Sequence, residues 1–119
     1  MQKAAAMKEK QVTILGEQWI LDICPRESYP GLEEADGYCD DTLKHMVICD
    51  HSTEKPHPQN KGDYKAQIDK NVRHEMLHAF LFASGLGICS EWAENEEMID
   101  WFARQFPKLV EAMKSVGAL

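Results

Sequence analysis

Apolar residues change their spacing midway along this chain. In "QVTILGEQWILDIC" (11–24) they alternate: Val12 and Ile14 precede a turn at Gly16, and Trp19, Leu21 and Ile23 follow it. Alternation with period two puts side chains on one face of a strand, so two short strands in a hairpin are predicted. "PRESYPGLEEADG" carries Pro25, Pro30, Gly31 and Gly37 and reads as a loop, with one short helical turn at residues 32–35. In "YCDDTLKHMVICD" a polar Asp40-Asp41-Thr42 turn separates Tyr38 and Cys39 from the run Met46, Val47, Ile48, Cys49, which predicts a second hairpin. "HSTEKPHPQNKGD" has almost nothing to bury and should be an exposed loop.

From Tyr64 onward the period becomes helical. Ile68, Val72, Met76 or Leu77, Phe80 and Leu81 recur at three- and four-residue steps, Asp63 is placed to cap the start, and Gly85 and Gly87 supply a stop. Ser90 is placed to cap a second helix from Glu91 to about Phe106, with Trp92, Ile99, Phe102, Ala103 and Phe106 inward and Trp101 also read as core. Pro107 should break or kink it, leaving a short last helix with Leu109, Val110 and Met113 buried. Strands come first and helices second, so an α+β fold is expected: a small N-terminal sheet packed on the first helix, with one or two C-terminal helices.

The chain has 119 residues, 44% of them hydrophobic, which suits one domain with one modest core. Residues 1–10 read as a loose or tag-like lead and residues 11–119 as the domain. A formal charge of −7 argues against nucleic acid or an anionic membrane as partner. No run of about 18 apolar residues occurs and the start lacks the apolar core of a signal peptide, so a soluble, cytoplasmic protein is expected. Cys24, Cys39, Cys49 and Cys89 form no C-x-x-C pair and read as buried thiols.

Within the first predicted helix stands His74-Glu75-Met76-Leu77-His78, an H-E-x-x-H string. Residues four apart share a helix face, so both imidazoles can reach one metal ion, and Glu75 beside them is placed to take a proton from a water on that ion. Burying these groups in an apolar helix without partners would cost several kcal/mol. A catalytic zinc needs a third protein ligand. "ENEEMID" offers Glu94, Glu96, Glu97 and Asp100; helical periodicity points Glu97 away from the core and does not separate Glu94 from Glu96.

"HEMLH" followed by "NEEMID" resembles the thermolysin-type arrangement, in which H-E-x-x-H precedes N-E-x-x-x-D by about twenty residues. The resemblance implies Glu96 as third zinc ligand and Asp100 as the carboxylate that holds His74. One turn separates these two acids, and ligating histidines commonly donate their second N–H to a carboxylate. "DGYCDDTLKHMVI", "RHEMLHAFLFASGL" and "NEEMIDWFARQFPKL" are together similar to short zincin-like proteins of phages and prophages of Gram-positive bacteria, related to phage immunity metallopeptidases. That likeness covers most of residues 11–109. It implies a minimal zincin fold with one Zn2+, an edge strand beside the cleft, a peptide or protein substrate and a bacterial host cytoplasm.

The chain departs from thermolysin in having 17 residues between His78 and Glu96, slightly fewer than that enzyme, and no large C-terminal domain to supply an oxyanion-stabilising histidine. Tyr38, His45, His51, His57 and Tyr64 are the substitutes available. Cys49 and His51 form a C-x-H pair without a second pair at ligand spacing. The functional readings that follow are a zinc metallopeptidase, with His74, His78 and Glu96 as ligands and Glu75 as base, or alternatively a zinc-stabilised binding module that cuts nothing. A metal-free structural protein is the third.

Overall fold

The computed structural model describes residues 8–119. Four strands, β1 (Lys8–Ile14), β2 (Glu17–Cys24), β3 (Gly37–Asp40) and β4 (His45–Cys49), form one sheet, and two long helices follow, α1 (Tyr64–Ala83) and α2 (Glu96–Ser115). The class is α+β. Residues 1–7 of the expected lead lie outside the described residues, but Lys8, Glu9 and Lys10 pair in register with Ile23, Asp22 and Leu21 and so belong to the sheet.

The first hairpin turns on Leu15 and Gly16, both at positive φ (48° and 84°). Two consecutive left-handed residues make the tight turn whose twist matches that of the strands it joins, and glycine takes that conformation without strain. Strand order is β1-β2-β4-β3, with β2 and β4 parallel and the other pairs antiparallel. The β3–β4 hairpin is closed by Asp40, whose Oδ1 accepts from Thr42 N (3.0 Å), Thr42 Oγ1 (2.6 Å) and Leu43 N (3.2 Å). This topology leaves β3 at one edge of the sheet.

Both faces of the sheet are covered. Ile14, Trp19, Leu21, Met46, Ile48 and Ala79 form the main core under α1, with Ile68, Val72, Met76 and Phe82 packed around it. On the other face Cys24, Leu32, Val47 and Cys49 cluster with Tyr29 and Tyr38. Leu32 comes from the 25–36 loop, whose short helical turns span Arg26–Ser28 and Pro30–Leu32 rather than 32–35. That cover explains why β2 buries Asp22 as well as its apolar alternates: Asp22 Oδ2 lies 2.9 Å from Tyr29 Oη and 2.6 Å from His45 Nε2.

Asp63 caps α1 as expected, accepting from Ala66 N at 3.0 Å, and Gly85 (φ 90°) follows its last turn. The buried stripe runs through Asn71, Glu75 and Ala79. Ala79 is fully buried, so the small residue brings helix and sheet close, and Phe80, about 100° further round the helix, is turned outward and 41% exposed. Phe80 was expected inward; it instead borders a groove of about 400 Å³ with Leu77, Met76, Arg73 and Phe106.

The second helix departs most from expectation. Ser90 does not cap it: residues 92–94 make a short 3-10 turn, and the cap is Asn95, whose Oδ1 accepts from Met98 N at 2.8 Å. Trp92 and Trp101, read as core, are 56% and 53% exposed, Phe106 and Met113 are also exposed, and burial falls on Ile99 and Ala103. Nor does Pro107 end the helix. Proline has no N–H for the carbonyl four residues back, here that of Ala103. Arg73 of α1 donates its Nε–H to Ala103 O at 2.5 Å, so the freed carbonyl is satisfied from the neighbouring helix and α2 continues to Ser115.

Arg73 and Pro107 should therefore be energetically coupled. Arg73→Met is expected to cost about 1–2 kcal/mol in the parent chain, and clearly less in a Pro107→Ala background, where residue 107 regains its own N–H. Urea unfolding of the four proteins in a double-mutant cycle measures the coupling, and equal costs in both backgrounds would refute it.

Candidate metal centre

Helical geometry alone brings His74 and His78 together. One turn apart on α1, their rings lie 5.1 Å between centroids. Glu96, the first residue of α2, closes the set: its Oε1 is 3.0 Å from His74 Nε2 and its Oε2 is 3.0 Å from His78 Nε2. One donor atom from each residue falls within 4.8 Å of the others. Two imidazoles and a carboxylate at this separation are a ligand set that a divalent transition metal ion takes. Glu94 and Glu97, the neighbouring acids, are both exposed and supply no atom to this group.

Asp100 stands one turn beyond Glu96 and faces the other nitrogen of His74, with Oδ1 3.5 Å from Nδ1. Two cations flank it: Arg104 Nε donates to Oδ2 at 2.7 Å, and Lys70 Nζ lies 3.6 Å from Oδ1. The Arg104 hydrogen bond holds the Asp100 carboxyl below the usual carboxylate range. It therefore stays ionised, able to accept from the Nδ1 side of His74 and hold the ring with Nε2 toward Glu96. Burial, opposed by the Glu96 charge, keeps the His78 imidazole below its ordinary value, which favours the neutral ring that a metal requires.

Glu75 is buried on the same helix, 8% exposed, and lines the cavity that holds these residues, about 340 Å³. Burial first, and the Glu96 charge second, push its carboxyl up to about 7, while Lys70 opposes them. A carboxylate tuned to that range is suited to exchange protons near neutral pH.

The opposite wall of the cavity is the edge strand, through Gly37, Tyr38 and Cys39. Gly37, which composition marks only as a loop residue, has a second reason to be glycine. A Cβ there would stand 3.1 Å from Ile48 Cδ1, 3.2 Å from Val47 O and 3.4 Å from Glu75 Oε2, so its absence lets the edge strand lie against the Glu75 carboxylate. Of the five residues considered for oxyanion stabilisation, only Tyr38 borders the cavity, and its ring packs over Gly31 in the far-face cluster. His45 is held by Asp22, His51 stacks on Tyr64 at 4.4 Å, and His57 accepts from Gln59 N in the exposed loop.

No helix among the described residues is long and apolar enough to cross a membrane. Comparison with known family models, with characterised proteins and with solved structures finds no match for this chain.

Asp100→Asn should lower metal affinity about 10- to 100-fold by removing the charge that orients His74, whereas Glu97→Gln should leave it unchanged. Zinc titration against a chromophoric chelator reads both. Equal affinity in wild type and Asp100→Asn would remove Asp100 from the site.

Proposed function

We propose that the protein is a zinc-dependent peptide-bond hydrolase, with His74, His78 and Glu96 holding the ion. The observation that carries this reading is the meeting of three ligand-type side chains with a buried carboxylate, Glu75, in one open cavity walled by a sheet edge. Bound there, a zinc ion supplies Lewis acidity, which makes a water acidic enough to ionise near neutral pH and polarises a carbonyl.

The chain's own residues supply the rest. Glu75 takes the proton of the attacking water and returns it to the departing amine. Its burial makes proton uptake favourable, and its position next to His74 in the chain keeps it at the ligand face. Asp100, fixed by Arg104 and Lys70, holds the His74 ring in one orientation. The outer edge of β3 offers backbone donors and acceptors, so an extended peptide pairs along it and presents its carbonyl to the cavity. The donor set and its order along the chain fit the resemblance to small phage and prophage metallopeptidases, and the reading extends to that source.

Glu75→Gln tests the reading. It should keep the metal and fold, and lower cleavage of an unbiased peptide library at least about 100-fold, measured by mass spectrometry of the products. Cleavage at the parent rate would contradict the role of Glu75. A zinc-loaded, folded parent that cuts nothing would contradict the hydrolase and leave the ion as a stabiliser of a binding module.

A further inference from the structure

Where β4 leaves the sheet, the chain reads Cys49-Asp50-His51-Ser52-Thr53-Glu54. The Cys49–His51 pair has no sequence partner at ligand spacing, but the fold supplies one. Cys49, His51 and Glu54 each offer one donor atom, and these lie within 4.8 Å of one another. His51 Nδ1 is 3.0 Å from Glu54 Oε1, matching the imidazole–carboxylate separations of the first centre. Cys49 is fully buried and the His51 side chain is 4% exposed, so this group is shielded where the first is open.

Two observations argue against an ordinary structural histidine at His51. Its Nε2 is buried without a hydrogen-bond partner, so hydrogen bonding satisfies only one side of the ring. Tyr64 stacks on the ring at 4.4 Å, and the backbone N–H of His51 points to Cys49 Sγ at 3.4 Å, which fixes ring and sulfur relative to each other. Arg26 Nε and Nη2 both donate to Glu54 Oε1, pinning the carboxylate, and none of these bonds uses Oε2.

We propose that Cys49, His51 and Glu54 form a second metal site, which takes a zinc ion and acts structurally. A thiolate, an imidazole and a carboxylate are zinc ligand types. With both anionic ligands and the nearby Arg26, a bound divalent ion leaves one net positive charge, as it does on the two imidazoles and Glu96 of the first centre. The site lies at a junction. Arg26 also binds Asp36 at 2.9 Å, just before the edge strand β3, and Tyr64 begins α1. An ion there fixes the loop that leaves β4, and with it the His51 ring on which Tyr64 stacks. This inference does not depend on the hydrolase reading, since it concerns different ligands, buried where the first set is open.

Metal-stripped full-length protein titrated with zinc under a chromophoric chelator should take up about two equivalents, the double variant His74→Ala/His78→Ala about one, and that variant carrying Cys49→Ser none. Cobalt provides an independent reading, because the first centre has no sulfur ligand. Wild type and the double variant should both show near-ultraviolet sulfur-to-cobalt charge transfer, and Cys49→Ser should lose it. Because Cys49 is buried, Glu54→Gln and His51→Asn serve as additional variants, each checked by circular dichroism and each expected to weaken the second equivalent at least about 10-fold. One equivalent in wild type with none in the double variant, or no sulfur band, would overturn the second site while leaving the first intact. One sulfur-bound equivalent that survives only in the Cys49 group would overturn the first and support the second.

Discussion

Three electron-pair donors meet at the solvent-facing end of the seam between α1 and α2. The Glu96 carboxylate stands 3.0 Å from an imidazole nitrogen on either side, and both rings are largely removed from solvent. Such a group is stable when a cation or shared protons lie among the donors, and costly when left to mutual repulsion. The packing of the helices is arranged around this constraint. Glu96 answers His78 and His74, Asp100 answers His74 and Lys70, and Ala103 answers Arg73, so contacts further along α2 fall earlier on α1 than those of Glu96. The two helices therefore run antiparallel through a ladder of polar contacts that flanks the buried Ile99 and Ala103.

The same ladder explains the unusual second helix. Its N-terminus must place Glu96 at the imidazoles, so the cap is Asn95 and the preceding residues are left to a short turn. Its far half passes through Pro107 because Arg73 supplies the donor that the proline lacks. The exposed Trp92 and Trp101 follow as well: once Ile99 and Ala103 face α1, residues at other phases of the helix, or before it, turn to solvent.

Much of this was legible in the sequence because it depends on local period. The strand alternation, the helix carrying His74 and His78 and the Asp63 cap follow from spacing of four residues or fewer, whereas Glu96 and Asp100 were singled out by the resemblance of "NEEMID" to the thermolysin-type pattern, since periodicity left Glu94 and Glu96 alike. What was not legible depends on contacts made across the fold. The tolerance of Pro107 comes from an arginine in another helix. Gly37 matters because a strand edge approaches Glu75, a fact absent from its neighbours in the chain. Glu54, three residues after His51, was passed over because only Cys and His were weighed as ligands there; its carboxylate is held toward His51 by Arg26, a contact from elsewhere in the chain. The phase of α1 was misjudged at Phe80 because hydrophobicity outvoted Ala79, whose small size sets how closely the helix lies on the sheet.

The most direct test is an anomalous difference map recorded at the zinc absorption edge from crystals grown with zinc. The expected result is a peak bonded to His74, His78 and Glu96 at about 2.0–2.2 Å, with its remaining position held by solvent and Glu75 alongside. No peak between these three side chains, or a fourth protein ligand closing the position, would contradict an open metal centre in this cavity.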